Sequence, residues 1–242
     1  VFTVDKVSVK GGFTIDKSLV SERVASELAG DYFRLVPKRF AYLYPEEDIK
    51  ESVSQISRIK DVEVKRISQH EILVTYDEYI PEALWCKLSD VENCFLIDDQ
   101  GLAFAEAPNL LGSSLVRYFS LEKDPEISTN ITSPENFTKT KEFVYLVVQL
   151  GWFVTKVELD SADDVFYTFE RGGEVKAALK EPVLKTIENL QTIIESDEFS
   201  HLDPGNFLYI DLRFGSRVFV NEEFEVVTEI STTTASTTEA VE

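Results

Sequence analysis

Apolar and polar positions alternate in short runs over most of the chain and switch to helical spacing in four places. Val4, Val7 and Val9 mark a strand within Phe2–Val9, closed by Gly11-Gly12. Leu19, Val20, Val24 and Leu28 then fall on one helix face, with Thr14 and Asp16 offering N-cap oxygens and Gly30 a stop. Ile49, Val53 and Ile56 form the stripe of a second helix. It opens with Pro45-Glu46-Glu47-Asp48, where proline is tolerated and carboxylates meet the positive end of the helix dipole. Ile59 to Ile67 alternates through Val62, Val64 and Arg66, and Ile72, Val74 and Tyr76 alternate after the turn Ser68-Gln69-His70, which predicts a hairpin. The first eighty or so residues therefore read strand, helix, helix, strand, strand. Within them, Asp31–Tyr44 is aromatic and basic. It is read as a connector whose aromatics plug the core, with a small basic patch as the sharper alternative.

Further on, Trp85-Cys86 and Asn93-Cys94 lie in apolar runs that predict two strands joined by the polar turn Ser89–Asn93. Asp98-Asp99-Gln100-Gly101 is a turn leading to a strand over Leu102–Ala105. Residues 120–140 are polar and predict a loop. They contain Asn130-Ile131-Thr132 and Asn136-Phe137-Thr138, which match glycosylation sequons of a kind that arises by chance. Lys141–Leu150 predicts a helix ended by Gly151, and Phe153–Leu159 a strand. Val165–Glu170 and Glu174–Leu179 flank the hairpin turn Arg171-Gly172-Gly173. Glu181-Pro182 opens a helix with Val183, Leu184, Ile187, Leu190, Ile193 and Ile194 on one face. Strands over Phe207–Phe214 and Val218–Val227 follow. The Ser/Thr-rich acidic tail Ser231–Glu242 is predicted to be disordered.

Composition narrows the function classes. Of 242 residues, 43% are hydrophobic and 12% aromatic, enough for a sizeable core in one large or two small domains. The net charge of −20 argues against a phosphate-binding basic face and against general adhesion to an anionic membrane, while leaving room for a local basic patch. No run reaches the ~20 apolar residues of a membrane span; the nearest, Phe143–Val154, is interrupted by Gln149 and Gly151. The chain contains no Met, so it is read as cut from a longer protein whose membrane anchor, if any, lies outside it.

Candidate chemistry is sparse. Cys86 and Cys94, eight apart, could face each other across a hairpin as a disulfide or stand as two buried thiols. A zinc site would need both of them with His70 and His201, and Cys-x7-Cys is not a usual zinc spacing. His70 and His201 fall in loops without a nucleophile signature, and neither Gly-Gly pair belongs to a phosphate-binding motif. With 44 Asp and Glu, pairs such as Asp98-Asp99 and Asp163-Asp164 follow from composition. A binding or scaffolding module is the stronger class.

Five segments in order carry a resemblance. They are Val4-Asp5-Lys6-Val7-Ser8-Val9-Lys10-Gly11; Val62-Glu63-Val64-Lys65-Arg66; Glu78-Tyr79-Ile80-Pro81-Glu82-Ala83-Leu84-Trp85-Cys86; Cys94-Phe95-Leu96-Ile97-Asp98-Asp99-Gln100-Gly101-Leu102-Ala103-Phe104; and Tyr209-Ile210-Asp211-Leu212-Arg213-Phe214-Gly215. Over residues 4–228 the chain resembles the extracytoplasmic part of the FtsQ/DivIB family of bacterial cell-division proteins.

The resemblance implies an α+β fold. A polypeptide-transport-associated (POTRA) domain over 1–78 would be followed by a β-rich domain over 79–230, with helices on one face of an extended sheet, and by the tail 231–242. It implies a transmembrane helix ahead of Val1, an extracytoplasmic location on the cell membrane and, from that oxidising location, a Cys86–Cys94 bridge. It implies no enzymatic activity and no cofactor. The role would be scaffolding of the septal cell-wall machinery through FtsB/DivIC-like and FtsL-like partners. The partner-binding motif carries over to Asp211, Leu212, Arg213 and Phe214, and less directly to Gly215, Ser216, Arg217 and Val218. An edge strand there invites strand addition, and Arg213 and Arg217 are suited to acidic partner side chains. The plainer alternative has Leu212 and Phe214 filling the core from one face and both arginines solvated. A POTRA-type chaperone for membrane-protein insertion or secretion is the second binding reading, and a cell-wall hydrolase the enzyme reading.

Overall fold

The computed structural model describes residues 2–108, 115–215 and 217–222. The first part of the chain runs β1 (Lys6–Gly11), α1 (Lys17–Glu27), β2 (Asp31–Tyr32), β3 (Val36–Pro37), α2 (Glu46–Ser54), β4 (Ile59–Arg66) and β5 (Glu71–Glu78). β5 is central in a three-stranded sheet, with β1 parallel on one side and β4 antiparallel on the other. A parallel pair requires a crossover, and the segment with α1 and α2 supplies it. Val20, Val24, Ile49 and Val53 of the helices bury against Val64, Ile72 and Val74 of the sheet.

Local chemistry explains these elements. Asp16 caps α1 by accepting the Ser18 N–H at 2.8 Å. α2 starts directly after Pro45, with Glu46, Glu47 and Asp48 in its first turn. Gly11 holds φ at +124°, and a side chain there would collide with the Tyr76 carbonyl. Beyond it, the Glu78 carboxylate accepts the backbone N–H groups of Phe13, Thr14 and Ile15 at 3.0, 3.1 and 2.8 Å and ties the β1–α1 loop to the end of β5.

The segment Asp31–Tyr44 departs from the expectation that its aromatics plug the core. Only Ala41 of this stretch is buried. β2 and β3 pair with each other alone. The rest of the segment is held by backbone bonds to the chain entering β1, Val4 N–H to Arg39 C=O and Ala41 N–H to Phe2 C=O. Of its rings, Tyr44 packs partly buried against this core, while Phe33 and Tyr42 are exposed.

The second part continues with β6 (Ala83–Lys87), β7 (Asp90–Ile97), β8 (Ala103–Glu106), β9 (Arg117–Ser120), α3 (Pro134–Val148), β10 (Val154–Leu159), β11 (Asp164–Phe169), β12 (Glu174–Ala178), α4 (Val183–Ile194), β13 (Phe207–Phe214) and β14 (Arg217–Glu222). These strands form one sheet in the order β14-β13-β12-β11-β10-β9-β6-β7-β8. β9 and β10 are parallel neighbours joined through α3, and β12 and β13 are parallel neighbours joined through α4. Phe137, Phe143 and Val147 of α3 and Ile187 and Leu190 of α4 share one core with Trp85, Tyr118, Tyr167, Phe207 and Ile210 of the strands. Phe143 stacks on Tyr167 with ring centroids 3.9 Å apart. Leu84, Cys86, Cys94, Leu96, Phe104 and Phe119 form a separate cluster. The chain is thus a mixed α and β protein with four helices among the described residues.

Two boundaries move. α3 begins at Pro134 rather than Lys141, because Ser133 caps it by accepting the Asn136 N–H at 3.1 Å and Pro134 occupies the first turn. The loop read over 120–140 is correspondingly shorter. Asp90–Asn93 belong to β7, so the turn before them shrinks to Leu88-Ser89. The continuation of the last strand beyond Glu222 and the tail 231–242 lie outside the described residues.

Candidate interaction edge of the large sheet

β13 and β14 are joined by a tight turn at Gly215, whose φ is +68°. The Gly215 carbonyl accepts the Asn189 side-chain amide of α4 at 3.3 Å. β14 is the terminal strand of the sheet, and among the described residues only β13 lies beside it. A terminal strand presents backbone N–H and C=O groups along its outer side, the chemistry that strand addition uses.

The eight residues singled out in the sequence divide into an inner and an outer set. Asp211 and Leu212 are buried, and Leu212 belongs to the core beneath the helices. They support the strand from within. Arg213 is also committed internally. Its Nε and Nη2 donate to Asp211 Oδ1 and Oδ2 at 2.9 and 2.7 Å, and its Nη1 donates to Asp164 Oδ2 on β11 at 2.6 Å. The expectation that Arg213 is available to an acidic partner gives way to a two-carboxylate clamp inside the molecule. Burial pushes the Asp211 carboxyl up, but the Arg213 side chain and backbone N–H outweigh it and hold the carboxyl below its ordinary range. The hydrogen bonds that Arg213 donates to Asp211 lead the causes that raise Arg213 further above its already high value.

The outer set is Phe214, Gly215 and Arg217; Val218 packs partly buried against the core, and Ser216 lies outside the described residues. Phe214 does not share the core face of Leu212. An extra residue of β13 between Asp211 and Phe214 shifts the register against β14 and breaks the alternation. Phe214 is instead 55% exposed and meets Phe219 of β14 edge-on, with centroids 5.5 Å apart. Arg217 is exposed beside them. Lys180, Glu181 and the Arg213 stem complete a shallow groove next to this aromatic pair.

Sequence reasoning missed Phe219 and Asp164. Phe219 lies between Val218 and Val220, so strict alternation pointed to it as the outward residue. Asp164 was one of many carboxylates, and only the packing of β11 near β13 distinguishes it.

The remaining candidates do not converge on one site. Cys86 and Cys94 form a disulfide across β6 and β7, where they are register partners. His70 Nδ1 lies 2.9 Å from the Thr3 carbonyl, and His201 Nε2 lies 3.1 Å from Glu222 Oε2. The four-ligand zinc arrangement is thereby replaced by a disulfide and two separate histidine contacts. No protein-family model and no curated protein matches the chain.

Proposed function

We propose that this chain is the extracytoplasmic part of a single-pass cell-division protein of the FtsQ/DivIB type. It acts as a non-enzymatic scaffold that binds FtsB/DivIC-like and FtsL-like partners and so assembles and regulates septal cell-wall synthesis. Residues 1–78 serve as a POTRA domain and 79–230 as the β domain.

The observation that carries this reading is the terminal strand β14, with Phe214, Phe219 and Arg217 exposed on the hairpin that contains the family-like Asp-Leu-Arg segment. The ordered motifs of the sequence and the strand–helix–helix–strand–strand succession at the start, interrupted only by the small β2–β3 hairpin, support it further. Strand addition along β14 would supply backbone bonds, and the aromatic pair with Arg217 would supply side-chain anchors of the types that dominate interfaces.

The test is co-purification of this chain with the soluble ectodomains of its FtsB-like and FtsL-like partners. A complex that forms, and that Arg217→Glu or Phe219→Asp weakens without loss of the folded signal, supports the reading. No complex at high micromolar concentration overturns it.

A further inference from the structure

The segment between α1 and α2 carries an unusual surface. The β2–β3 hairpin turns through Tyr32-Phe33-Arg34-Leu35, closed by Leu35 N–H donating to Tyr32 C=O at 3.0 Å. Both central residues are left-handed, Phe33 at φ 52° and Arg34 at φ 62°. Such a turn favours Asn-Gly, because the Cβ of other residues crowds the following carbonyl. Turn chemistry therefore does not account for a Phe-Arg pair.

Core packing does not account for it either. Phe33 is 94% exposed and Leu35 83%. In the same segment Tyr42 is exposed and meets the exposed ring of Phe2 edge-on, with centroids 6.1 Å apart. Residues 31–44 contain three cations, Arg34, Lys38 and Arg39, and one carboxylate, Asp31, in a chain whose net charge is −20; Arg39 lies 4.0 Å from Asp5. A strained tip that presents aromatic and aliphatic groups among cations has the chemistry of a bilayer-interface contact. Rings settle at headgroup depth, and cations meet lipid phosphates.

We propose that the β2–β3 hairpin docks on an anionic lipid bilayer, with Phe33 and Leu35 entering the interface and Arg34 and Lys38 meeting lipid phosphates. This rests on the proposed function in one respect. The hairpin segment is bonded to residues 2–4, where the N-terminal membrane helix of that reading would join, and an anchor there would hold the hairpin at the surface. A single weak apolar contact binds membranes only marginally, so tether and hairpin would act together. Phe13 supplies an internal control. It is 99% exposed but follows β1, at the opposite end of that strand from residues 2–4.

The experiment holds the chain on vesicles through an N-terminal histidine tag and a nickel-chelating lipid. It compares Phe33→Trp with Phe13→Trp, using brominated acyl chains as quencher. Native Trp85 and Trp152 are buried and give a constant background. The expected result is quenching and a blue shift at position 33 on phosphatidylglycerol vesicles, and neither at position 13. Arg34→Gln and Lys38→Gln should each lower partitioning about fivefold, at about 1 kcal/mol per cation. The double variant Phe33→Asn/Arg34→Gly suits the turn better, so it should melt at a higher temperature yet lose docking.

Silence at position 33 on tethered anionic vesicles, equal quenching at 13 and 33, or undiminished docking by the turn-optimised variant overturns the proposal. Burial of position 33 by a partner ectodomain without lipid also overturns it, in favour of a protein contact. A partner complex with a silent position 33 removes the docking and leaves the scaffold reading. Docking without any partner complex does the reverse.

Discussion

Arg213 grips Asp211 from two residues along the same strand, with Nε–Oδ1 at 2.9 Å and Nη2–Oδ2 at 2.7 Å, and its third nitrogen spans to Asp164 on β11. The arginine is therefore a fastening between β13 and β11 across the width of β12. Removing it leaves the buried Asp211 carboxylate without its main partner, so Arg213→Ala should lower unfolding free energy by about 1–3 kcal/mol. Exposed Arg217 should change stability by less than about 0.5 kcal/mol when replaced by Ala. Urea denaturation of both variants checks the contrast. Equal, small effects would dissolve the distinction between the two arginines.

The same clamp sets a pH dependence. The Asp211 carboxyl titrates below its ordinary value in the folded protein. Its stabilisation is therefore complete above the unfolded value, near pH 4, and is lost as pH falls through the lower folded value. Glu78 acts in the same direction: burial pushes it up, but the backbone N–H and Thr14 hydroxyl donors of the β1–α1 loop outweigh this and hold it down. Urea midpoints should decline between about pH 4 and pH 2, and Asp211→Asn should flatten that decline while lowering the plateau. An unchanged pH profile in Asp211→Asn would count against the clamp.

The disulfide closes a short loop, with eight positions separating Cys86 from Cys94. Constraint of the unfolded chain by so small a loop contributes about 2–3 kcal/mol. Reduction, or Cys86→Ser with Cys94→Ser, should lower the melting temperature without dissolving the sheet. The partner serine hydroxyls would sit among Leu84, Leu96 and Phe119, which adds to the loss. Melting curves with and without reductant measure it.

Two glycines with positive φ separate backbone strain from collision. Gly30 has open space where a side chain would go, so Gly30→Ala should cost about 1–2 kcal/mol, the strain of the left-handed backbone alone. At Gly11 the same methyl would strike the backbone of Tyr76 in the adjacent strand, so Gly11→Ala should cost clearly more, on the order of 3 kcal/mol, or prevent folding. Denaturant midpoints of the pair decide it.

Much of the first part of the fold was legible because its signals are local. Val20 and Val24 repeat at helical spacing behind the Asp16 cap, and Val64, Ile72 and Val74 alternate around a polar turn. Ser133-Pro134 carried the start of α3 just as clearly, but the polar residues around it read as a loop. At the candidate edge, Asp211–Val218 could be located but not sorted. The register shift in β13 that turns Phe214 outward leaves no composition signature.

By itself the sequence determined which residues alternate, that four helices form and roughly where, that the chain is strongly acidic, and that two cysteines could face each other. Each of these depends on neighbours a few positions away. Only the tertiary structure decided that β1 lies parallel to β5, that β14 ends the large sheet among the described residues, that Asp164 lies within reach of Arg213, and that Phe33 points to solvent rather than the core. These depend on pairings across dozens of residues, where many partners satisfy the same hydrophobic pattern. The packed, hydrogen-bonded whole selects one of them.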